Sequence, residues 1–270
     1  MQRVSARVDM SEVSSGSMGP LHGLGVIITR PARQSAAIST QLAALGARPI
    51  VWPAIVILPP DDPAALARVH AELDHYDIAI FVSANAAEFG APDPARWPRT
   101  LQTFAPGPGT VEALAAVGIR GAIMPAVSLD SEGLLALPEL RSVEGKRVAI
   151  FRGQEGRELL GATLRERGAH VQYVECYRRS APSGDATGLL DIVRERRAHA
   201  LSLTSVEGLE NLVAAVGTEG LRFFASLKTF APHRRIVAAA RQRGLDAVET
   251  GPGDGGLIAA LLEFAAARRA

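Results

Sequence analysis

The stretch VIITRPARQSAAISTQLAALGA (residues 26–47) reads as a buried strand, a tight turn and an amphipathic helix stopped by glycine. The apolar run at 24–29 is strand-length and β-branched rather than helical in period. Pro31 suits the opening of a helix, where its missing N–H has no partner to lose. Ala37, Ile38, Leu42 and Leu45 then follow helical spacing, and Gly46 ends it. The same unit returns without a gap 122 residues later as VAIFRGQEGRELLGATLRERGA (148–169), with Arg30 falling on Arg152, Leu42 on Leu164, Gly46 on Gly168 and Ala47 on Ala169. That offset also carries Ser83, in IFVSANA (80–86), onto Ser205, in SLTSVEG (202–208). Slightly out of step, TFAP at 103–106 recurs at 229–232, each time before a helix ending in Gly118 or Gly244. Ordered matches at nearly one offset indicate an internal duplication.

Outward from these units, short apolar runs alternate with helical patterns, which is the signature of βα units and parallel sheets. Further strands are expected at 77–82, 101–105, 147–151, 200–203, 227–231 and 246–249, with helices between them at 113–117, 158–167, 206–216, 236–243 and 257–267. After each repeated Gly-Ala an extended stretch follows, 48–58 in the first half and 170–179 in the second. Both exceed ordinary strand length. Two such strands at equivalent points of a duplicated chain suit passage between two domains, with a ligand cleft beside them.

Composition narrows the function. The 270 residues suffice for two domains, and 47% hydrophobic against 21% charged is a globular balance. A net charge of +1, from 29 basic and 28 acidic residues, leaves no footprint for nucleic acid or an anionic membrane. Lys146 and Lys228 are the two lysines; the other basic residues are arginine, the better fork for carboxylates. The single cysteine, Cys176, offers neither an internal disulfide nor a metal cage, and it fits a reducing, cytoplasmic setting. Residues 1–21 are polar and serine-rich, read as a disordered tail, and no apolar run is long enough to span a bilayer. Strand one ends in ITRPAR, and neither a dinucleotide-binding nor a P-loop glycine motif occurs.

Several landmarks, taken in order, resemble the uroporphyrinogen-III synthase family: ITRP (28–31) with Gln34 and LGA (45–47), FVSANA (81–86), PGPGTVEAL (106–114), LDSEGLL (129–135), IFRGQEGRELL (150–160), VECYRR (174–179), SLTSVEGLENL (202–212) and PHRRIVAAA (232–240). They span roughly residues 24 to 262. The resemblance implies an α/β fold of two flavodoxin-like parallel-sheet domains, joined by a two-stranded bridge with a cleft between them. It assigns 22–49 and 180–270 to one domain, 57–170 to the other, and 50–56 and 171–179 to the bridge.

The resemblance also implies the chemistry: cyclisation of linear hydroxymethylbilane, with loss of water through a spiro intermediate and inversion of ring D, by a cytoplasmic monomer without cofactors that could take its substrate from the preceding enzyme. That substrate bears eight carboxylates and closes unaided to the uninverted isomer, so the task is chiefly to hold one conformation. Unpaired amides at helix N-termini suit such a polyanion. Candidate turns carry Arg30; Ser83 and Asn85; Thr110; Arg152 and Gly153; Ser205; and His233 and Arg235. Hydroxyls of Ser83, Thr110 and Ser205 equally suit plain helix capping. Tyr177 matches the family's strand tyrosine, implied to help the hydroxyl leave; a phenol can donate a proton at neutral pH. The chain departs from the family at PHRRI (232–236), where many members have Gly-Pro-x-Thr-Ala, so Arg234 or Arg235 replaces a threonine there or that side chain is dispensable. His22, His70, His75, His170 and His199 read as ordinary polar residues. The other reading is a two-lobed protein that binds an anionic small molecule without catalysis.

Overall fold

The computed structural model describes residues Gly19–Arg269. The chain opens with β1 (Gly25–Ile28), α1 (Ala32–Ala44) and β2 (Arg48–Val51). It continues through β3 (Val56–Leu58), α2 (Pro63–Ala71), β4 (Ile78–Phe81), α3 (Ala84–Gly90), β5 (Gln102–Phe104), α4 (Pro108–Ala116), α5 (Ser131–Ala136), β6 (Arg147–Gly153), α6 (Leu159–Glu166) and β7 (His170–Ser180). The remainder is α7 (Thr187–Arg194), β8 (Ala200–Ser202), α8 (Val206–Phe224), β9 (Lys228–Ala231), α9 (Arg234–Gln242), β10 (Asp246–Glu249) and α10 (Gly253–Arg269).

These elements form two compact units: residues up to Ile55 together with Pro182 onward, and Val56–Ala181. In the first unit the sheet runs β2-β1-β8-β9-β10, parallel throughout. In the second it runs β3-β7-β6-β4-β5, parallel except for β3. The duplication is visible in this order. The opening β1-α1-β2 lies beside β8, which it meets only after more than 170 residues, as Val26 pairs with Ala200. Its repeat, β6-α6-β7, lies instead beside β4, with Ile78 opposite Val148. Even the outermost position is echoed: where β10 flanks β9, Ile123 forms a lone parallel bridge to Phe104 of β5.

Burial explains why both sheets hold. All four residues of β1 and of β4 are buried, as strands covered on both faces require. Val26 and Ile28 pack with Ile38, Leu42 and Leu261 on one face, while Ile27 and Leu201 pack with Leu209, Leu212 and Phe224 on the other. In the second unit Phe81 stacks on Phe151 with ring centroids 4.4 Å apart and planes 9° from parallel. Gly46 and Gly168 end their helices at φ +88° and +86°, left-handed conformations that a side chain disfavours.

Three expectations need correction. The extended stretch at 48–58 is not one strand: β2 pairs with β1, and β3 pairs antiparallel with β7. Pro53 has no amide hydrogen for a ladder, and the chain turns there as the Ala54 amide donates to the Thr29 carbonyl. The antiparallel pairing therefore falls at Val56–Leu58 against 178–180, not along 50–56 and 171–179. Most of the tail expected at 1–21 lies outside the described residues, but Leu21 is fully buried and its amide donates to the Leu45 carbonyl. The helix expected at 206–216 carries on to Phe224, across a break at Gly217.

Two histidines do structural work. The Nε2 atom of His70 lies 2.8 Å from the Gly90 carbonyl. Nδ1 of His199 accepts the Gly25 amide hydrogen at 3.0 Å, at the start of β1. Burial, then the nearby Arg268 and Arg48, holds His199 below its ordinary value of 6.5. The unfolded chain thus binds more protons than the folded one as pH falls past 6.5, so this contribution is complete above that value and is lost on acidification. We expect the urea midpoint of the first unit, followed by Trp52 fluorescence in a Trp97→Phe background, to fall between about pH 7 and pH 5. His199→Asn, which keeps an acceptor but cannot titrate, should flatten that slope; an unchanged slope excludes His199 as its source.

Candidate active site

The candidate residues lie where parallel strands end and helices begin. In the first sheet β1 and β8 are the strands at which the order reverses, a place where α/β sheets commonly bind ligands. The buried Thr29 hydroxyl ties them there, donating to the Ser202 carbonyl at 2.7 Å. Arg30 follows and is ion-paired with Asp254 in the first turn of α10. Ser205 caps α8, its hydroxyl accepting the Gly208 amide hydrogen at 2.9 Å. His233 precedes α9 and does not cap it through its side chain; both His233 and Arg235 are exposed. Arg234 is also exposed and reaches Glu249 at 3.2 Å.

The second sheet reverses between β6 and β4, and its candidates form a tighter group. Ser83 follows β4 and accepts the Ala86 amide hydrogen at 3.1 Å, capping α3. Its Oγ also lies 3.2 Å from the hydroxyl of Tyr177. Asn85 lies in the first turn of α3, and Thr110 is buried in the first turn of α4.

A bulge puts Tyr177 in this position. Arg152 pairs with Glu175, but the next residue, Gly153, pairs with Tyr177, so Cys176 is the extra residue. Side chains along a strand alternate faces, and a bulge breaks that alternation. Tyr173 therefore faces the core of α5 and α6, Val174 the core of α2–α4, and both Cys176 and Tyr177 face the latter. Tyr177 is only 5% exposed and lies with its ring 6.4 Å from that of Phe89. A Cβ on Gly153 would stand 2.8 Å from the phenol ring, so the glycine makes room for it. The adjacent Cys176 thiol donates to the Arg152 carbonyl at 3.2 Å. Burial pushes that thiol up to about 12, which leaves it protonated and inert.

On the other face of β6, Arg152 is buried beneath a cleft of about 210 Å³ lined by Val82, Asp130, Arg157, Leu160 and Tyr173 among others. Its guanidinium lies 4.6 Å from the Tyr173 ring centre and donates to the exposed Glu158 carboxylate at 2.8 Å. Tyr173 and Arg152 hold that carboxyl below the ordinary carboxylate range. Glu158 thus occupies one fork of Arg152, and Arg157 is paired at the surface with Glu132.

The structure thus joins Ser83, Gly153 and Tyr177 in one constellation and leaves His233 and Arg235 on an open surface. The partners of the arginines are not apparent from the sequence pattern: Glu158 and Tyr173 for Arg152, Asp254 for Arg30. Glu158 had a faint signal, sitting six residues after Arg152 at the start of the repeated helix. Asp254 had little, being separated from Arg30 by 224 residues. No group of metal-ligating side chains occurs among the described residues.

Sheets ordered in this way, with polar turns at their carboxyl edges and a buried phenol beside one of them, define a duplicated flavodoxin-like α/β protein. A model of the uroporphyrinogen-III synthase HemD family matches residues 36–259, and the chain belongs to that family. It is 36% identical to uroporphyrinogen-III synthase of Salmonella typhimurium over 193 residues, 70% of this chain and 78% of that protein. It is 34% identical to the Escherichia coli enzyme over the same length and shares. Among solved structures, a mutant uroporphyrinogen III synthase from the extremely thermophilic bacterium Thermus thermophilus is similar with a TM-score of 0.55 at 19% identity, covering 91% of this chain and 99% of that one. The synthetase from Helicobacter pylori gives 0.54 at 13%, covering 90% and 99%. At such identities these two structures speak to the fold alone.

Proposed function

We propose that the chain is a uroporphyrinogen-III synthase, a cofactor-free lyase that cyclises hydroxymethylbilane to uroporphyrinogen III with loss of water and inversion of ring D. The observation that carries this reading is the family match across 36–259. In this reading the polar turns at the carboxyl edges, with Arg30, Asn85, Thr110, Arg152, Ser205, His233 and Arg235, receive the carboxylates of the substrate. Backbone amides at the starts of α4 and α9 contribute as much as side chains, because the first turn of a helix lacks intrahelical acceptors for its N–H groups and carries partial positive charge. That is also why arginine in place of the family's threonine in the first turn of α9 is tolerable.

Tyr177 acts as the general acid. As the C–O bond of the terminal hydroxymethyl group breaks, the phenol proton completes the departing water. The pyrrole N–H proton released in forming the azafulvene then restores the phenol. Attack by the substituted carbon of the last pyrrole gives the spiro intermediate, which fragments and recloses. A cytoplasmic monomer that takes its substrate from the preceding enzyme suits a single buried thiol and an unstable substrate. No helix among the described residues is long and apolar enough to cross a membrane.

The test is incubation with enzymatically generated hydroxymethylbilane and separation of the product isomers. Type III product above the uncatalysed background is expected. Folded protein that yields only type I overturns the assignment and leaves a binding protein as the alternative.

A further inference from the structure

Ser83 carries two hydrogen bonds at one oxygen. It accepts the Ala86 amide hydrogen at 3.1 Å, and it lies 3.2 Å from the phenol oxygen of Tyr177. The backbone N–H can only donate, so that contact occupies a lone pair of Ser83 and fixes its Oγ at the head of α3. The hydroxyl hydrogen of Ser83 remains to be placed, and the phenol oxygen is the acceptor within reach. The phenol ring cannot turn away from it. It is packed among Phe89 and the neighbouring core, and Gly153 gives it just the space it fills.

We propose that Ser83 is a positioning residue for Tyr177, in addition to any contact it makes with substrate. Its hydroxyl donates into the phenol oxygen, so the phenol's own hydrogen points outward. A tyrosine whose proton pointed back at Ser83 would have to rotate its hydroxyl before it could act as an acid. With Ser83 as donor, that orientation is set before substrate arrives. The same bond stabilises the developing phenolate once the proton has gone, since a hydrogen bond to the charged form favours it.

This inference rests on Tyr177 being the general acid, so its test is a double-mutant cycle that separates the two ideas. Ser83→Ala is expected to lower kcat about tenfold with KM nearly unchanged, and Ser83→Thr, which keeps both hydrogen bonds, to restore it. Ser83→Asp keeps the cap but can only accept from the phenol, so it should be at least as slow as Ser83→Ala. In the Tyr177→Phe background, Ser83→Ala should add less than a twofold further loss, because its effect runs through the missing phenol. If the two losses multiply, or if Ser83→Asp is as active as the wild type, the positioning role is overturned while the role of Tyr177 stands. If Tyr177→Phe turns over normally, both fall. Thermal melting of each variant separates loss of the cap from loss of orientation: Ser83→Ala should melt lower, Ser83→Asp should not.

Discussion

Tyr177→Phe is expected to lower kcat roughly 100-fold while leaving the thermal midpoint within a few degrees of the wild type, the lower end of what a positioned general acid contributes. The ring stays: it packs beside Phe89 and over Gly153, and phenylalanine fills that space. What goes is the hydroxyl, whose partner is Ser83. Ser83 retains the Ala86 amide, so the cap of α3 survives. The slowed enzyme then competes poorly with spontaneous closure, and the share of type I product should rise as enzyme concentration is lowered. Steady-state rates and isomer ratios measure both effects. Undiminished kcat with an unchanged isomer ratio would remove the phenol from the mechanism.

The largest expected effect on stability is that of Phe151→Ala, about 3–5 kcal/mol on the second unit, as for truncation of a large aromatic in a packed core. Phe151 is fully buried in the central strand β6, stacked on Phe81, which in turn lies 5.7 Å from Trp97. Its removal leaves a cavity that the two-sided packing of β6 cannot close without moving the sheet. A loss of this size is a large fraction of typical domain stability. The chain has two tryptophans, and Trp52 belongs to the first unit, so in a Trp52→Phe background the emission of Trp97 reports urea unfolding of the second unit alone. A shift below about 1 kcal/mol would mean that Phe81 and Trp97 collapse into the space.

Much of the architecture was legible in the residues themselves. β1 and β6 announced themselves as short β-branched or aromatic runs before a turn, and Gly46 and Gly168 as helix stops, because those signals act within a few residues of the chain. Ser83 and Ser205 were readable as the heads of helices for the same reason, and both are caps. What escaped was set by distant partners. The placement of β1 beside β8 depends on a pairing across more than 170 residues that no local pattern encodes, and it was available only through resemblance. The break at Pro53 was hidden inside an apolar stretch whose two ends pair with different strands. The helices α2 and α5 are short, and a period has few residues in which to show itself there. At the site, alternation alone would send Tyr177 to the face opposite Cys176. The bulge that puts both on one face has no sequence signal beyond the permissive glycine opposite it.

The pairing of β1 with β8 also bears on how the molecule is made. A ribosome delivers the amino end first, yet β1-α1-β2 has no sheet to join until residues beyond 200 have emerged. The intervening segment, Val56–Ala181, is continuous and holds its complete sheet, so it is free to mature while the opening strands wait. Nascent chains stalled once residue 181, but not yet residue 200, has emerged should therefore carry one protease-resistant segment and an orphaned, hydrophobic amino-terminal stretch, the species most exposed to chaperones and to aggregation.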